Sequence, residues 1–348
     1  MMPSAVAEAG GFPSVSVIIP CRNEARYIRQ VVDSALQNEY PGRLGQVLVV
    51  DGMSDDGTRA IVAEVSQENP SVRLVDNPRR IIPAALNIGL AAATGDVVVR
   101  MDGHTTYPAG YIERCVTGLL ETGADNVGGA CHVVPGEPSL KGRAFAQALS
   151  HVFGVGNAHY KLGITEPMVV DAVPFGCMWK RRWTGLGPYD ERFARSEDIE
   201  FSARLRAGGG VMMLLPDVHS YYHSRDSLGP FLSHSWSNGM WITYPLAFAL
   251  PPNSWRHYIP LAFVSSLLFP LTVALWWPGA AAVAGVSAVA YGVADLTAST
   301  HVAIRNKSLA LGATMLPVFA ALHLTYGIGS LWGIVRAVAH RVYRRATS

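Results

Sequence analysis

The feature that most constrains the fold is an alternation of short apolar runs with amphipathic stretches between residues 15 and 135. Strands of four to six residues that alternate with helices are typical of βαβ units, whose parallel strands form a sheet buried on both faces. In such sheets, ligands bind beyond the carboxyl ends of the strands. Strands are predicted at 15–20, 47–50, 72–75, 97–101 and 211–215, and helices at 25–36, 58–68, 83–93 and 108–121.

The chain changes character after about residue 240, where three long apolar segments follow one another, at 258–277, 279–300 and 309–335. The first, 258–277, has no charged residue over twenty positions, enough to cross about 30 Å of hydrocarbon. A shorter stretch, 240–252, carries aromatic residues and prolines and is predicted to lie at the membrane interface. The predicted divisions are a flexible N-terminus at 1–13, an α/β domain at 14–235, an interfacial segment at 236–257, a membrane region of about three segments at 258–336, and a basic cytoplasmic tail at 337–348.

The topology of the membrane region stays open at this point. Positively charged segments beside membrane spans favour the cytoplasm, and both the loop HVAIRNKS and the tail RAVAHRVYRRATS are basic. Three complete spans after a cytoplasmic domain would place that tail outside. One segment is therefore expected to be re-entrant or interfacial, unless the third forms a hairpin near Pro317.

Composition excludes several classes of protein. Charged residues make up 16% of the chain, below the roughly 25% usual for soluble proteins, so part of the chain is expected in lipid. The net charge of +2 gives no reason to expect a nucleic-acid partner. The four cysteines form no CxxC pair, which favours buried thiols in a reducing compartment over a zinc site. The N-terminus lacks the features of a signal peptide, so the α/β domain is expected in the cytoplasm.

Polar residues follow three of the predicted strands, as CRNE, DGMSDDGT and DGH. Because parallel strands end at the same edge of the sheet, these groups are expected to converge. An aspartate after a strand often caps the next helix, and Asp56 fits that role. Asp51 lies directly after an apolar strand and before Gly52, where a ligand can approach closely. Asp51 is therefore a candidate acceptor of hydrogen bonds from a base or a ribose.

Asp102 and His104 are two residues apart, so in an extended segment their side chains would face the same side. Together they could hold a divalent cation, because magnesium and manganese accept carboxylate oxygen and manganese also accepts imidazole. Gly103 would leave room for a diphosphate beside the metal.

Four motifs together resemble the family 2 glycosyltransferases, in the same order and spacing over about residues 14–225: VSVIIPCRNEARYI, VLVVDGMSDDGT, NPRRIIPAALNIGLAAATGDVVVRMDGHT and EDIEFSARLRAGG. The resemblance implies a GT-A fold, which is Rossmann-like with a mostly parallel sheet, here followed by C-terminal transmembrane helices. It also implies a nucleotide-diphosphate sugar donor, a divalent metal (Mn²⁺ or Mg²⁺) and inversion of the anomeric centre. The apolar segments and the DGH variant are most similar to the branch that builds succinoglycan-type exopolysaccharides.

The resemblance assigns the metal to Asp102 and His104, which match the DxD motif with histidine in place of the second acid. Gly52 departs from the more common second aspartate of its motif, which implies a weaker or different base contact. The residues matched to the nucleotide side are Pro20, Arg22, Asn23, Glu24, Asp51 and Arg80.

The resemblance makes Asp198 the catalytic base and Glu197 an orienting or acceptor-side group. A base is needed because direct displacement requires proton removal from the acceptor hydroxyl. Acids at a helix start also interact favourably with the helix dipole, which is the alternative explanation for this pair. The residues matched to acceptor or diphosphate binding are Gly176, Lys180, Arg181, His223 and Arg225; a solvated charge cluster is the alternative for the two basic residues at 180 and 181.

The expected activity is inverting transfer from a UDP-sugar to a polyprenyl-diphosphate-linked saccharide in cell-surface glycan synthesis. The QxxRW signature of processive enzymes is absent from the sequence, which favours one sugar per encounter. The expected location is the inner membrane, in a multi-pass arrangement with the catalytic domain cytoplasmic. Two alternatives remain open: a polyprenyl-phosphate sugar synthase, and an inactive scaffold of a polysaccharide complex.

Overall fold

The chain forms two compact units in the computed structural model, which describes residues 11–38, 40–248 and 254–347. The first unit comprises the described residues up to His132 together with Gly163–Tyr222. The second comprises Val133–Leu162 and the described residues from His223 onward. The segment 133–162 was expected within the α/β domain and instead groups with the C-terminal helices.

One mixed sheet organises the first unit, in the order β3-β2-β1-β4-β8-β6-β9-β5, with β7 paired to β9. The pairs β1–β2, β2–β3 and β1–β4 are parallel, as predicted, whereas β4–β8, β6–β8, β5–β9 and β7–β9 are antiparallel. The strands are β1 Val15–Cys21, β2 Leu44–Asp51, β3 Val72–Asp76, β4 Val97–Arg100, β5 Thr105–Thr106, β6 Asn126–Val134, β7 Met168–Val169, β8 Cys177–Trp179 and β9 Met212–His223.

Helices cover this sheet in the first unit and make up most of the second. The predicted helix 58–68 has the bounds expected from the sequence, and the other predicted helices differ by one to three residues at their ends. The helices are α1 Ile28–Leu36, α2 Thr58–Glu68, α3 Ile82–Ala92, α4 Tyr111–Thr122, α5 Leu140–Ala148, α6 Val152–Val155, α7 His159–Leu162, α8 Lys180–Leu186, α9 Glu197–Ala207, α10 Leu228–Thr243, α11 Ile259–Val273, α12 Ala281–Arg305 and α13 Leu309–Thr347.

The register of the central strands positions the site. All seven residues of β1 are buried, which matches a strand covered on both faces. Cys21 pairs with Asp51 across β1 and β2, and Ile18 pairs with Arg100 across β1 and β4. The loops that follow β1, β2 and β4 therefore start from one edge of the sheet, which we call the carboxyl rim.

The antiparallel half of the sheet depends on close backbone approach. A Cβ at Gly129 would lie 1.9 Å from the carbonyl oxygen of Val218, so only glycine allows β9 to pass β6 at this distance. β5, β6, β7 and β8 were not predicted from the sequence, because their short or glycine-containing runs lack the pattern that marks the earlier strands.

Two helices of the second unit, α12 and α13, are long and apolar enough to cross a membrane. The first predicted span instead forms α11, which contains Pro270. This helix has 15 residues, fewer than the roughly 20 that are needed to cross a membrane. The third segment is one continuous helix through Pro317, so the suggested hairpin is wrong. The predicted interfacial stretch 240–252 covers the end of α10 and a 3₁₀ turn at Tyr244–Phe248; its last residues and residues 1–10 of the N-terminus lie outside the described residues.

Candidate active site

The loops after β1 and β2 form one wall of the carboxyl rim because they are hydrogen-bonded to each other. The backbone N–H of Asn23 donates to Ser54 Oγ (2.8 Å), and the N–H of Asp55 donates to Asn23 Oδ1 (3.1 Å). The N–H of Glu24 donates to Thr58 Oγ1 (2.8 Å). Asn23 itself is held at a φ of 57°, a strained conformation for a residue other than glycine. The two loops are therefore built as a unit.

Asp51 lies beneath this wall, with no exposed surface. One carboxylate oxygen accepts hydrogen bonds from the backbone N–H of Ser54 (2.9 Å) and from Arg59 Nη1 (2.8 Å). The other accepts from Ser54 Oγ. Asp51 therefore organises the loop from within, and its carboxylate is not exposed to a base or ribose as was predicted from the sequence. Gly57, and not Asp56 as predicted, is the N-cap residue of α2; Asp56 lies one residue earlier and accepts from the N–H of Thr58 (3.0 Å).

The other residues predicted for the nucleotide side are placed differently. Arg22 directly follows β1, and Arg80 lies in the loop between β3 and α3 at a φ of 60°; both are exposed. Pro20 is buried within β1. A Cβ at Gly52 would lie 3.1 Å from the Cβ of Arg22, so glycine at this position lets the Arg22 side chain cross the loop. This contact gives a physical reason for the missing second aspartate.

Asp102 is anchored by three neighbours at the end of β4. Arg100 Nε donates to Asp102 Oδ1 (2.9 Å), and the backbone N–H of Asp102 donates to the buried Tyr107 hydroxyl (2.8 Å). The N–H of Thr105 donates to the carbonyl of Asp102 (3.1 Å), which closes a turn. The extended Asp102–His104 segment expected from the sequence is therefore wrong. A Cβ at Gly103 would lie 3.0 Å from the Cβ of Cys21, so its space is taken by β1 and is not free for a diphosphate.

His104 is oriented by Glu24, from the other loop of the rim. Its Nδ1 lies 2.9 Å from Glu24 Oε1, and its ring packs edge-on against Tyr222 with centroids 5.1 Å apart. A carboxylate can only accept, so Nδ1 carries the proton and Nε2 is left as the possible ligand. Metal-binding histidines usually donate their other N–H to a carboxylate in this way. Glu24, predicted to border the nucleotide, thus acts on His104.

Arg100 connects the Asp102 loop to the start of α9. Its Nη1 donates to Glu197 Oε1 at 3.1 Å while its Nε holds Asp102, and both Arg100 and Glu197 are buried. Burial raises the pKa of Glu197 to about 7; the Arg100 charge opposes this rise, and the charges of Asp198 and Asp102 add to it. The pair therefore gives Glu197 a role beyond interaction with the helix dipole.

Asp198 follows Glu197 in the first turn of α9 and is partly exposed. Ser196, just before the helix, has a φ of 63°, so the chain turns sharply where the two acids begin. Strain of this kind persists where the surrounding structure over-determines it, and it clusters at functional sites. The structure thus joins Asp102 and Glu197 through one guanidinium group, and Asp198 is the next residue along the chain, where its Oδ1 accepts from the N–H of Ile199 (2.9 Å).

Two basic residues predicted for diphosphate binding lie elsewhere. Trp179 pairs with Val97, so Lys180 and Arg181 follow at the amino end of β4, opposite the carboxyl rim. The ammonium group of Lys180 bonds to the carbonyl of Ala93, and Arg181 lies 4.8 Å from the Trp179 ring centroid. The structure does not bring either residue to Asp102.

Of the remaining predicted acceptor residues, Gly176 does lie near the rim. Its carbonyl accepts from the N–H of Arg100 (3.0 Å), and a Cβ there would lie 2.2 Å from Asn126 Oδ1. Its glycine is explained by packing. His223 is the last residue of β9 and Arg225 lies two residues further on; both belong to the second unit. Their role in binding the acceptor or the diphosphate stays a prediction.

The residues at the rim fit a divalent cation in part. Asp102 offers a second carboxylate oxygen and His104 offers Nε2, a donor set that suits manganese. The described residues contain no group of three or more histidine, cysteine or acidic side chains that could hold a metal. Any cation here would take its other ligands from a diphosphate and water, as magnesium and manganese do in phosphate-binding sites.

Sequence comparison gives this geometry a context. Residues 16–174 match the profile of glycosyl transferase family 2. The succinoglycan biosynthesis protein ExoA of Rhizobium meliloti is 32% identical over 250 residues, which cover 67% of this chain and 74% of that protein. The chain belongs to glycosyl transferase family 2. It is therefore a glycosyltransferase, related to a protein of exopolysaccharide synthesis.

Solved structures show that this family 2 glycosyltransferase has the predicted GT-A fold. The mannosyltransferase PcManGT of Pyrobaculum calidifontis, in complex with GDP-Man and Mn²⁺, aligns with a TM-score of 0.56 at 20% identity, covering 92% of this chain and 88% of that one. GalNAc-T7 with UDP, GalNAc and Mn²⁺ aligns with a TM-score of 0.51 at 17% identity, covering 70% and 52%. At these identities the likeness establishes the fold.

Three supporting residues of this glycosyltransferase, Arg59, Arg100 and Tyr107, were not predicted from the sequence. Arg100 left a usable signal, because an arginine inside the apolar run VVVRM is rarely buried unless it is paired. Arg59 bridges the buried Asp51 and the exposed Asp76 (both 2.8 Å), a link between two strand ends that spacing does not reveal.

We expect Arg100→Met in this glycosyltransferase to lower the thermal midpoint by about 10 °C, because breaking a buried ion pair costs about 3–5 kcal/mol. The loss would leave two carboxylates without their cation. Differential scanning fluorimetry of the purified full chain measures it. Arg29→Met is the matched control, since Arg29 pairs with Glu68 at the surface (2.9 Å) and should shift the midpoint by less than about 3 °C. Equal shifts would contradict the buried role of Arg100.

We expect Glu24→Gln to weaken Mn²⁺ binding in the presence of UDP by about tenfold, because the amide holds the His104 ring less firmly than the carboxylate does. Isothermal calorimetry measures the affinity. Glu64→Gln is the control, since Glu64 is exposed and pairs with Arg29 (3.2 Å). An unchanged affinity in Glu24→Gln would remove His104 from the metal site.

Proposed function

We propose that this enzyme transfers a sugar, with inversion, from a UDP-sugar to a membrane-associated lipid-linked saccharide, with Asp198 as the base. The observation that carries the proposal is the double contact of Arg100, which ties Asp102 to Glu197 beside Asp198. Inverting displacement needs a cation-binding group on the leaving diphosphate side and a base on the acceptor side. The buried guanidinium group of Arg100 would hold Asp102, on the donor side, at a fixed position relative to Glu197, on the acceptor side.

On the donor side, Asp102 and His104 would hold Mn²⁺ or Mg²⁺, with Glu24 orienting His104. A divalent ion bound there would offset the charge that develops on the leaving diphosphate. The exposed side chains of Arg22, Asn23 and Arg80 remain the proposed nucleotide contacts. The neighbours with UDP and with GDP-Man support a nucleotide-sugar donor, and a GDP-sugar is the alternative to UDP.

On the acceptor side, Asp198 would take the proton of the attacking hydroxyl while Glu197 fixes the start of α9. A polyprenyl-diphosphate-linked saccharide is supported by the relationship to a succinoglycan biosynthesis protein and by the two membrane-length helices. The proposed location is the inner membrane, in a multi-pass arrangement with the first unit in the cytoplasm.

A donor screen tests the proposal. Purified full chain is mixed with Mn²⁺, a panel of UDP- and GDP-sugars, and lipid extract as acceptor, and nucleotide release is measured together with thin-layer analysis of the lipids. We expect UDP release that depends on both the metal and the lipid extract, with a longer lipid-linked saccharide as product. A product consisting of one sugar on polyprenyl phosphate would favour the synthase alternative. Absence of any transfer across the panel would favour an inactive scaffold.

A further inference from the structure

The C-terminal part of the second unit is basic. From residue 227 to the C-terminus, Asp295 is the one acidic residue in the sequence, against seven cations: Arg256, Arg305, Lys307, Arg336, Arg341, Arg344 and Arg345. Asp295 lies within α12, where its carboxylate accepts a hydrogen bond from Ser299 Oγ (3.0 Å). The cations of this part of the chain therefore have almost no acidic partners near them in sequence.

Two of these cations, Arg336 and Arg341, contact the 3₁₀ turn Tyr244–Phe248 from the C-terminal half of α13. The guanidinium carbon of Arg336 lies 4.7 Å from the ring centroid of Tyr244, and Arg341 Nη2 donates to the carbonyl of Leu246. Both side chains are exposed, and no carboxylate of the described part of the chain pairs with either. An aromatic face and a carbonyl orient a guanidinium group without neutralising it. We call Arg336, Arg341 and this turn the arginine collar.

Close packing of α10 on α13 fixes the position of the arginine collar. A Cβ at Gly333 would lie 2.4 Å from the carbonyl oxygen of Met240, so glycine lets the end of α10 approach α13 closely. In the same contact, Thr243 Oγ1 donates to the carbonyl of Ser330 (2.6 Å). The turn that follows α10 is therefore held against α13, and Arg336 is held with it.

The arginine collar lies just beyond the apolar length of the two long helices. α12 and α13 are antiparallel: Tyr291 and His323 are equally far from the connection between the helices, and the Tyr291 hydroxyl lies 2.9 Å from His323 Nδ1. The 25 residues of α12 rise about 37 Å, enough to cross roughly 30 Å of hydrocarbon. The start of α12 is therefore level with about Gly333 of α13. Arg336 and Arg341 follow about one and two helical turns later.

Aromatic side chains lie at the same level as the arginine collar. Trp276 and Trp277, in the connection that precedes α12, are 82% and 67% exposed. Within the collar, the rings of Tyr244 and Phe248 pack edge-on with centroids 5.7 Å apart. Tryptophan and tyrosine are enriched at the headgroup level of membranes. This end of α12 and α13 therefore combines exposed aromatic rings with unneutralised cations.

We propose that the arginine collar binds the phosphate groups of anionic phospholipids. The inference rests on the proposed membrane location. With α12 and α13 as the two spans, α13 ends on the side of the membrane where α12 begins, which is the cytoplasmic side in the proposed arrangement. Basic residues beside a span attract the anionic headgroups of that leaflet. Guanidinium groups also bind phosphate oxygens through two parallel hydrogen bonds.

Lipid binding to the full chain in neutral detergent, measured by native mass spectrometry, tests the arginine collar. The probes are anionic phosphatidylglycerol and zwitterionic phosphatidylcholine with the same acyl chains. We expect the wild type to prefer phosphatidylglycerol, and Arg336→Gln combined with Arg341→Gln to bind it at least about tenfold more weakly, because two cations are lost. Phosphatidylcholine should bind both proteins alike. The preference of the wild type should also fall as salt is added, since salt screens exposed charges.

The matched control is Arg305→Gln combined with Lys307→Gln, which removes two cations at the opposite end of α12 and α13. It should keep the affinity for phosphatidylglycerol within about threefold, since it leaves the arginine collar intact. Equal losses in the two double variants would overturn the collar, because the attraction would then come from net charge alone. Displacement of phosphatidylglycerol by an equal concentration of inorganic diphosphate would also overturn it, because the arginines would then bind free phosphate.

These measurements separate the arginine collar from the proposed function. If the wild type binds phosphatidylglycerol through the two arginines but transfers no sugar from any donor, the collar stands and the proposed function is wrong. If the wild type transfers sugar to lipid but binds phosphatidylglycerol and phosphatidylcholine alike, the collar is wrong and the function stands. Recovery of the full chain in the soluble fraction without detergent would overturn the collar together with the membrane location.

Discussion

Asp198→Asn should reduce sugar transfer by about 10³-fold while leaving UDP binding within twofold of the wild type. The amide has nearly the same shape as the carboxylate, so it keeps the start of α9 intact, but it cannot take a proton from the acceptor hydroxyl. Transfer is measured by UDP release with the lipid acceptor, and binding by calorimetry with UDP and Mn²⁺. A general base contributes to the chemical step and not to donor affinity, so the two measurements should separate.

The matched control for this change is Glu200→Gln, in the same turn of the same helix. Glu200 pairs with Arg204 (2.9 Å between Oε2 and Nη2) and has no place in the proposed chemistry. Its variant should keep transfer within about threefold, the scale of a partly exposed pair on a helix. If Asp198→Asn turns over at the wild-type rate, Asp198 is not the base. If it loses UDP binding and transfer together, its role is structural.

Asp102→Asn should abolish metal-dependent donor binding, with Mn²⁺ affinity in the presence of UDP reduced by about 100-fold or more. Changing residues that only support a metal ligand costs 10- to 100-fold, so loss of the ligand itself should cost at least the upper value. The neutral amide also leaves Arg100 with one carboxylate in place of two. Calorimetry with UDP and Mn²⁺ measures the loss, and EDTA-treated wild type gives the reference without metal.

Asp96→Asn is the control for that experiment because it lies just before β4, at the opposite end from Asp102. Its carboxylate accepts from the backbone N–H (3.1 Å) and the hydroxyl (2.7 Å) of Ser14. Its variant should lose some stability and keep metal-dependent UDP binding. If Asp102→Asn binds UDP with Mn²⁺ as well as Asp96→Asn does, the metal lies elsewhere.

The parallel half of the sheet could be predicted from the sequence because its physical signal is local. Buried strands such as β1 and β2 are continuous apolar runs, and each ends in polar residues. The antiparallel half could not, because β6 and β8 owe their place to contacts between distant residues. Gly129 against Val218 is one such contact, and a glycine in a sequence does not say which backbone approaches it.

Motifs in the sequence identified most residues of the candidate site, but they predicted the role of each residue less well. Asp102, His104, Glu197 and Asp198 come from motifs, and in the structure one arginine, Arg100, contacts Asp102 and Glu197. Asp51 looked like a ligand group because it follows a strand, but burial and the Arg59 contact decide its role, and neither is visible in spacing. Lys180 belongs to a motif that was predicted to bind the acceptor or the diphosphate. Because β8 runs antiparallel to β4, Lys180 lies at the amino end of β4, opposite the carboxyl rim.

The Arg100–Glu197 pair also limits where the protein can be truncated. The stretch that matches the family profile ends at residue 174, before Glu197. A fragment built on that stretch alone would keep the guanidinium group of Arg100 inside the sheet with half of its negative partners gone. Such a fragment should be insoluble or degraded when expressed, so truncation series of this enzyme should begin beyond α9.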